Sequence, residues 1–375
     1  MPYLKLGLLL AMAVLAVGCS TLAQQSSTGV IVARRAQIRS STAVVAADLL
    51  QVNRGDQVDI LDSSDVADPS DNTRKERWLR VKARDEDATE GWIESRNVMP
   101  ADVLDASKKL WEEDKVIPAQ GTGQLRASSN LRLSPDRSAN ENIMMRLDSG
   151  SSFDIVGWKR VPKPKSSESI ETDVAPKAGS VQPGNTKAGR QDENAEPEEA
   201  NELWYKVRLP ASSSPAPAGW IYGKQVELTV PSDIIFYRTG REFVAWQRLD
   251  GEVKDGTTVS DKDAGREAKP GSWLILEKSN SSQPRTVDEP DFDRIYVLGY
   301  DKRNQEHYTA YRSPDLKGYL PARVEGTGDN KTFTLRLQEE EGGPVKDVQY
   351  SLYKDARAVL KINAPNVTSK DKRKK

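Results

Sequence analysis

Apolar and charged positions alternate in short runs along most of this chain. Residues 30–39 read VIVARRAQIR, and GDQVDIL (55–61), RWLRVK (77–82) and GWIES (91–95) follow at short intervals. Valine, isoleucine and tryptophan alternate with charge, and turn residues separate the runs. A period of two sends successive side chains to opposite faces, so these are half-buried strands of a small barrel or sandwich. A polar insert at 62–76 separates the second run from the third. The same order then returns. SNLRLSPD (129–136) matches AQIRSSTA (36–43), GSSFDIV (150–156) matches GDQVDIL, WYKVRL (204–209) matches WLRVKA (78–83), and GWIYGKQVEL (219–228) matches GWIESRNVM (91–99). Four blocks repeated in one order predict a repeated fold.

Between the copies the period changes. ADVLDASKKLWEED (101–114) brings Val103, Leu104, Ala106, Leu110 and Trp111 to one helical face, which predicts a short linker helix packed on a barrel. Residues 159–202 are rich in Pro, Ser, Gly, Lys and Glu. They hold too little apolar surface to offset their ordering entropy, so they read as a disordered insertion between two strands of the second copy. From residue 230 to 363 the repeat stops. Eight candidate strands (243–249, 273–278, 294–300, 306–311, 318–324, 332–337, 348–353 and 358–362) with polar connectors predict an antiparallel meander closed as a barrel or folded as a sandwich. Alternation places Tyr296, Leu298 and Tyr300 on one side and Ile295, Val297 and Gly299 on the other. The expected class is all-β: two small barrels at 30–99 and 122–229, a helical linker at 100–121, and a C-terminal β domain.

The repeated blocks resemble the bacterial Src-homology-3-like (SH3-like) domain. The shared features are an early "(L/I)R" strand, then "G-x-x-(V/F)-x-(I/L)", "W-x-x-V" and "G-W-(I/V)". Gly55, Trp78, Gly91 and Trp92 take those places in the first copy, and Gly150, Trp204, Gly219 and Trp220 in the second. The resemblance implies non-catalytic modules with shallow aromatic grooves that bind cell-wall peptidoglycan or short peptides. Trp78, Trp92, Trp204, Trp220 and Tyr222 are the candidate groove residues, to be weighed against a core role for the same rings.

Residues 1–18 open with a single positive charge at Lys5, continue with an apolar run from Leu6 to Val17, and end in small residues. Those are the marks of a secretory signal, and about 20 apolar residues would be needed for a spanning helix. Ala16-Val17-Gly18-Cys19 resembles the lipobox of bacterial lipoproteins, with Ala16 where leucine is commoner. The resemblance implies cleavage before Cys19, lipid on that residue, and membrane tethering through residues 19–29. It also implies a place in the bacterial cell envelope, at the outer membrane facing the periplasm in a host with two membranes.

Composition narrows the chemistry. Cys19 is the only cysteine and His307 the only histidine in 375 residues. A lipidated Cys19 leaves no thiol for a disulfide, a nucleophile or a thiolate site. One histidine does not furnish the two or three imidazoles of a typical zinc hydrolase, and a lone strand histidine is more often packed than catalytic. With 55 basic and 56 acidic groups, no global field draws nucleic acid. The acidic stretch Asp288–Asp293 and the pair Asp261 and Asp263 do not match a twelve-residue calcium loop and read as solvated turns. The basic tail at 364–375 reads as disordered. No catalytic residue, metal or cofactor is expected. The leading function is a lipid-anchored envelope protein that binds peptidoglycan or peptide segments. The alternatives are a scaffold for assembling other envelope proteins and a cell-wall hydrolase working through two carboxylates.

Overall fold

The computed structural model describes residues 27–68, 71–138, 140–164, 200–250, 270–280, 285–327 and 330–365. The leader, Cys19, the core of the 159–202 insertion, Asp261, Asp263 and residues 366–375 lie outside them. The described chain is all-β with one α-helix, and it divides into two compact units, up to Asp102 and from Val103 onward.

The first unit is a curled antiparallel sheet of seven strands: β1 (Ser27–Ile31), β2 (Arg35–Arg39), β3 (Asp48–Asn53), β4 (Gln57–Asp68), β5 (Asp71–Ala83), β6 (Glu90–Glu94) and β7 (Val98–Pro100). They lie in the order β3-β2-β6-β5-β4-β1-β7. Alternation works as the sequence requires. Ile38, Val58, Leu79, Val81, Ile93 and Val98 share one buried cluster on the concave side. Two expectations are corrected here. β1 begins at Ser27, within the stretch expected to be tether. Residues 62–76 are no loop insert, because β4 and β5 run on as one long hairpin. Its outer part is held by ladder bonds and exposed charge pairs such as Arg77 with Asp65 at 3.0 Å, which need no apolar side chain.

In the second unit, β8 (Gly121–Leu125), β9 (Ser129–Arg132), β10 (Ile143–Leu147), β11 (Ser152–Pro162), β12 (Asn201–Arg208), β13 (Ala218–Tyr222) and β14 (Val226–Leu228) lie in the order β10-β9-β13-β12-β11-β8-β14. This is the first sheet's order, strand for strand. The register agrees as well. Arg80 faces Trp92 and Lys82 faces Glu90, while Lys206 faces Trp220 and Arg208 faces Ala218. Even the bulge recurs, between Ile60 and Asp62 in one copy and between Ile155 and Gly157 in the other. The glycines of the two "GW" pairs are required by close approach. A Cβ on Gly91 would lie 2.5 Å from the Arg39 carbonyl oxygen, and one on Gly219 would lie 2.7 Å from Leu131 Cδ1. Gly55 and Gly150, which open β4 and β11, have φ of 95° and 79°, where a side chain is strained.

The insertion is shorter than its composition suggests, since β11 and β12 pair out to Pro162 and Asn201. Helix α1 (Ala101–Glu113) forms where expected, but its fully buried residue is Ser107, and the apolar side chains around it are half-buried.

The C-terminal region is a two-sheet sandwich. The first sheet holds β15 (Arg241–Arg248), β16 (Trp273–Ser279), β17 (Arg294–Asp301) and β18 (Glu306–Arg312). The second holds β19 (Lys317–Thr327), β20 (Asn330–Gln338), β21 (Val345–Lys354) and β22 (Leu360–Asn363), each an up-and-down meander. All eight candidate strands are present. The space between the sheets is filled by Val244, Leu276, Ile295, Val297, Phe333, Leu335 and Tyr350 among others, with Phe333 stacked on Tyr350 at 4.7 Å. The outer side of the first sheet is buried too, because Tyr296 and Leu298 pack with Trp246 and Trp273 under Leu228, Val230, Ile234 and Tyr237.

Sandwich and second curled sheet form one body. Trp158 Nε1 donates to Asp291 at 2.5 Å, and Leu320 N–H donates to its other carboxylate oxygen at 2.9 Å. Burial pushes the Asp291 carboxyl above its usual range, offset in part by those two donors. Glu289 pairs with Lys278 at 2.8 Å, and Asp293 pairs with Arg241. Glu289, Asp291 and Asp293 therefore form a tied joint rather than a solvated turn, while Asp288 is exposed. Tyr205 lies edge-on to Trp158 at 6.1 Å, and burial pushes its phenol up to about 12. A raised pKa in the folded state stabilises below the unfolded value of 10.0 and loses that contribution as pH climbs through about 12. The shift corresponds to about 3 kcal/mol. Titration followed by phenolate absorbance should show Tyr205 ionising only as this unit unfolds. Ionisation near pH 10 with the fold intact would contradict that burial.

Candidate functional site

The repeat places the same constellation once on the convex face of each curled sheet. Core residues Leu79, Val81 and Ile93 point to the concave side, so their neighbours point out. In the first copy these are Trp78, Arg80 and Lys82 on β5, Glu90, Trp92 and Glu94 on β6, and Arg39 on β2, which lies directly across from Trp92. The second copy sets Trp204, Lys206 and Arg208 on β12, Ala218, Trp220 and Tyr222 on β13, and Arg132 across from Trp220. Each "GW" tryptophan thus sits between two cations in a row across the sheet.

The surroundings of the two rows differ. In the second copy α1 and the turn after it lie over the row. The Ser107 hydroxyl donates to the Ala218 carbonyl at 2.6 Å and accepts from the Ala218 N–H at 3.2 Å. Lys206 reaches Glu113 at 3.0 Å and Asp114 at 2.5 Å. Arg208 donates to the carbonyl oxygens of Asp114 and Ile117. At the other end Arg137 forms a two-pronged ion pair with Glu202, whose side chain is 1% exposed, and its guanidinium lies 4.8 Å from the Tyr222 ring centre. These two residues, with Pro135, Asp136, Ser138, Val161, Pro162 and Pro164, line a cleft of about 250 Å³ at the root of the insertion. Their polar groups are already spent on each other.

In the first copy Arg80 and Lys82 carry side chains 50% and 42% exposed. Their partner is Glu90, the residue in register with Ala218, at 3.3 and 3.9 Å. Trp92 is half-buried beside them. Arg39 lies 5.9 Å from the Trp78 ring centre and donates to the carbonyl oxygens of Val44 and Ala46. That pins a loop whose tip shows Val44 and Val45, 71% and 93% exposed.

The five candidate groove residues therefore separate. Trp204 is 0% exposed and Tyr222 4%, with ring centres 5.5 Å apart, so they are buried anchors of the convex side that offer no open face. Trp78, at 6%, is buried on the convex side under Arg39, outside the concave core cluster, and offers no open face. Trp220 is half-buried in a row roofed by the chain's own helix. Trp92 keeps a partly open ring in an unroofed row. Sequence reasoning missed the cations that flank the tryptophans, the Arg137–Glu202 pair and the valine tip. The first could have been found, because the "(L/I)R" and "W-x-(R/K)-V" positions line up with "GW" once the register is drawn.

His307, on β18, is enclosed. Its side chain is 7% exposed, Nε2 donates to the Gly271 carbonyl at 2.8 Å and lies 3.6 Å from Asp233, and Tyr237 and Tyr300 flank the ring. Asp233 also accepts from Trp273 Nε1 at 2.8 Å and from Gly271 N–H at 3.2 Å. This cluster ties the segment before β15 onto the sandwich. Among the described residues no three His, Cys, Asp or Glu side chains come together as metal ligands, and no helix is long and apolar enough to cross a membrane.

No protein-family model matches the chain, and no curated protein matches it. Among solved structures it is similar to NlpC2 from Trichomonas vaginalis at 8% identity and a TM-score of 0.15, covering 91% of this chain and 93% of that one. It is also similar to NlpC1 from the same organism at 9% identity and a TM-score of 0.15, covering 92% and 90%. A TM-score of 0.15 carries no inference about fold or activity.

Proposed function

We propose that this chain is a lipid-anchored protein of the bacterial cell envelope that binds rather than catalyses. Cys19 is the attachment point in this reading, and the SH3-like first module is the binding element. Its ligand class is wall peptidoglycan or peptide segments of envelope proteins. The observation that supports it best is the cation–tryptophan–cation row, open in the first copy and roofed in the second. An open row of this kind offers a flat aromatic surface and charge-assisted donors to carboxylates and amides. The enclosed environment of His307 also favours binding over catalysis.

The test is retention of the purified chain on wall sacculi at low salt. Retention should fall about tenfold in Trp92→Ala and stay near the parent level in Trp220→Ala, with circular dichroism unchanged in both. Equal loss in the two variants, or retention indifferent to Trp92, would remove the first module's face as the binding surface.

A further inference from the structure

Within the reading of the first module's convex face as a binding surface, we infer that its occupant is an acidic peptide segment of a partner protein, held at Arg80, Lys82 and Trp92. The molecule carries the template for this in its second copy. There the register-equivalent cations Lys206 and Arg208 hold the carboxyl-terminal end of α1 and the turn beyond it. The groups they hold are two carboxylates, on Glu113 and Asp114, and two main-chain carbonyl oxygens. The end of a helix presents unpaired carbonyls and the negative end of its dipole, so carboxylates and carbonyls together are what such cations take. Arg80 and Lys82 stand at the same two positions of the same ladder, and Trp92 matches Trp220 beside them.

One substitution marks the open face. Ala218, which receives Ser107, is replaced in the first copy by Glu90. The Glu90 carboxylate supplies the negative charge that α1 supplies in the second copy, and it does so in pairs 3.3 and 3.9 Å long that are more than a third exposed at both ends. Pairs of that kind are weak, each worth at most about a fivefold change in an equilibrium. Glu90 is thus a weakly held internal counter-ion that an incoming acidic segment displaces. Peptidoglycan carries its carboxylates on short stem peptides and has no helix-end carbonyls of the kind the template shows, so a protein segment is the better match.

The probe is a fluorescein-labelled peptide copying residues 110–117, which carries Glu112, Glu113 and Asp114 against one lysine, Lys115, and its control has Gln, Gln and Asn at the three acidic positions. Anisotropy is measured on the full chain. Binding of the acidic peptide should exceed that of the control and should weaken about tenfold in Arg80→Ala/Lys82→Ala, the weight of two exposed charge pairs. Glu90→Ala should tighten it about twofold, because the carboxylate paired with both cations is gone while Asp59 and Asp62 remain across from them on β4. Lys206→Ala should leave it unchanged, since the tethered α1 already fills that site at high effective concentration. Peptide binding that ignores Arg80 and Lys82, or a Glu90→Ala variant that binds more weakly, overturns the inference. Sacculus retention that depends on Trp92 without any peptide binding also overturns it, while leaving the broader function standing. Loss of both sinks both.

Discussion

Replacing Trp204 by alanine will cost the second unit about 3–5 kcal/mol, the range for deleting a fully buried aromatic side chain. Trp204 is 0% exposed, lies against Tyr222, and is shut in by the Arg137–Glu202 pair at the end of the row opposite α1. Its loss leaves a void that a paired and twisted ladder cannot collapse around. For a unit of this size each kcal/mol moves the thermal midpoint by about 2–4 °C, so a fall of about 10 °C is expected. Trp204→Phe should cost far less, about 1–2 kcal/mol, because the indole N–H has no hydrogen-bond partner among the described residues and its removal forfeits none. Trp92→Ala, on the unroofed row, should cost about 1 kcal/mol or less while removing ligand retention. Chemical denaturation of the three variants separates a core tryptophan from a binding one. A tolerated Trp204→Ala alongside an unfolded Trp92→Ala would reverse the assignment of the two rings.

Local pattern carried the fold further than it carried the contacts. Alternation found all eight sandwich strands and split β17 into its two faces. Ile295 and Val297 pack between the sheets, while Tyr296 and Leu298 pack outside. The repeat was legible because register is fixed by glycines that closely approach a neighbouring strand and by core residues at a period of two. What stayed hidden is polar and distant in sequence. Ser107 serves Ala218 across 111 residues, Trp158 donates to Asp291 across 133, and Gln120 serves Ala322 across 202. A serine or glutamine buried by such a partner leaves no mark on local hydropathy, and an acidic run that is ion-paired looks like one that is solvated. The same limit applies to the tryptophans. The residues in "W-x-x-V" and "G-W-(I/V)" look alike in both copies, and only the helix over one row and Glu90 in the other tell them apart.

The largest effect of a polar substitution will come from Gln120→Leu. Gln120 is 0% exposed and closes the joint between β8 and the sandwich. Its amide group donates to the carbonyls of Pro118 and Ala322 and accepts from Ala322 N–H, at 2.7 to 2.9 Å, while its own main chain bonds to Ile155 and Trp246. Leucine has nearly the same shape and none of these partners. The Ala322 carbonyl keeps a second donor in Gln247 at 3.0 Å, so two groups lose their partner, the buried Ala322 N–H and the part-buried Pro118 carbonyl. Each unpaired buried group costs about 1–3 kcal/mol, which puts the change at about 2–5 kcal/mol. The loss falls on the joint rather than on either core. Calorimetry should therefore show the transition of the second unit broaden or divide as the curled sheet and the sandwich melt apart. Gln247→Leu should be less costly alone, and the double variant should cost less than the sum, because both amides serve Ala322. A single sharp transition that merely shifts downward in Gln120→Leu would mean that the two parts are coupled mainly through Trp158 and Asp291 instead.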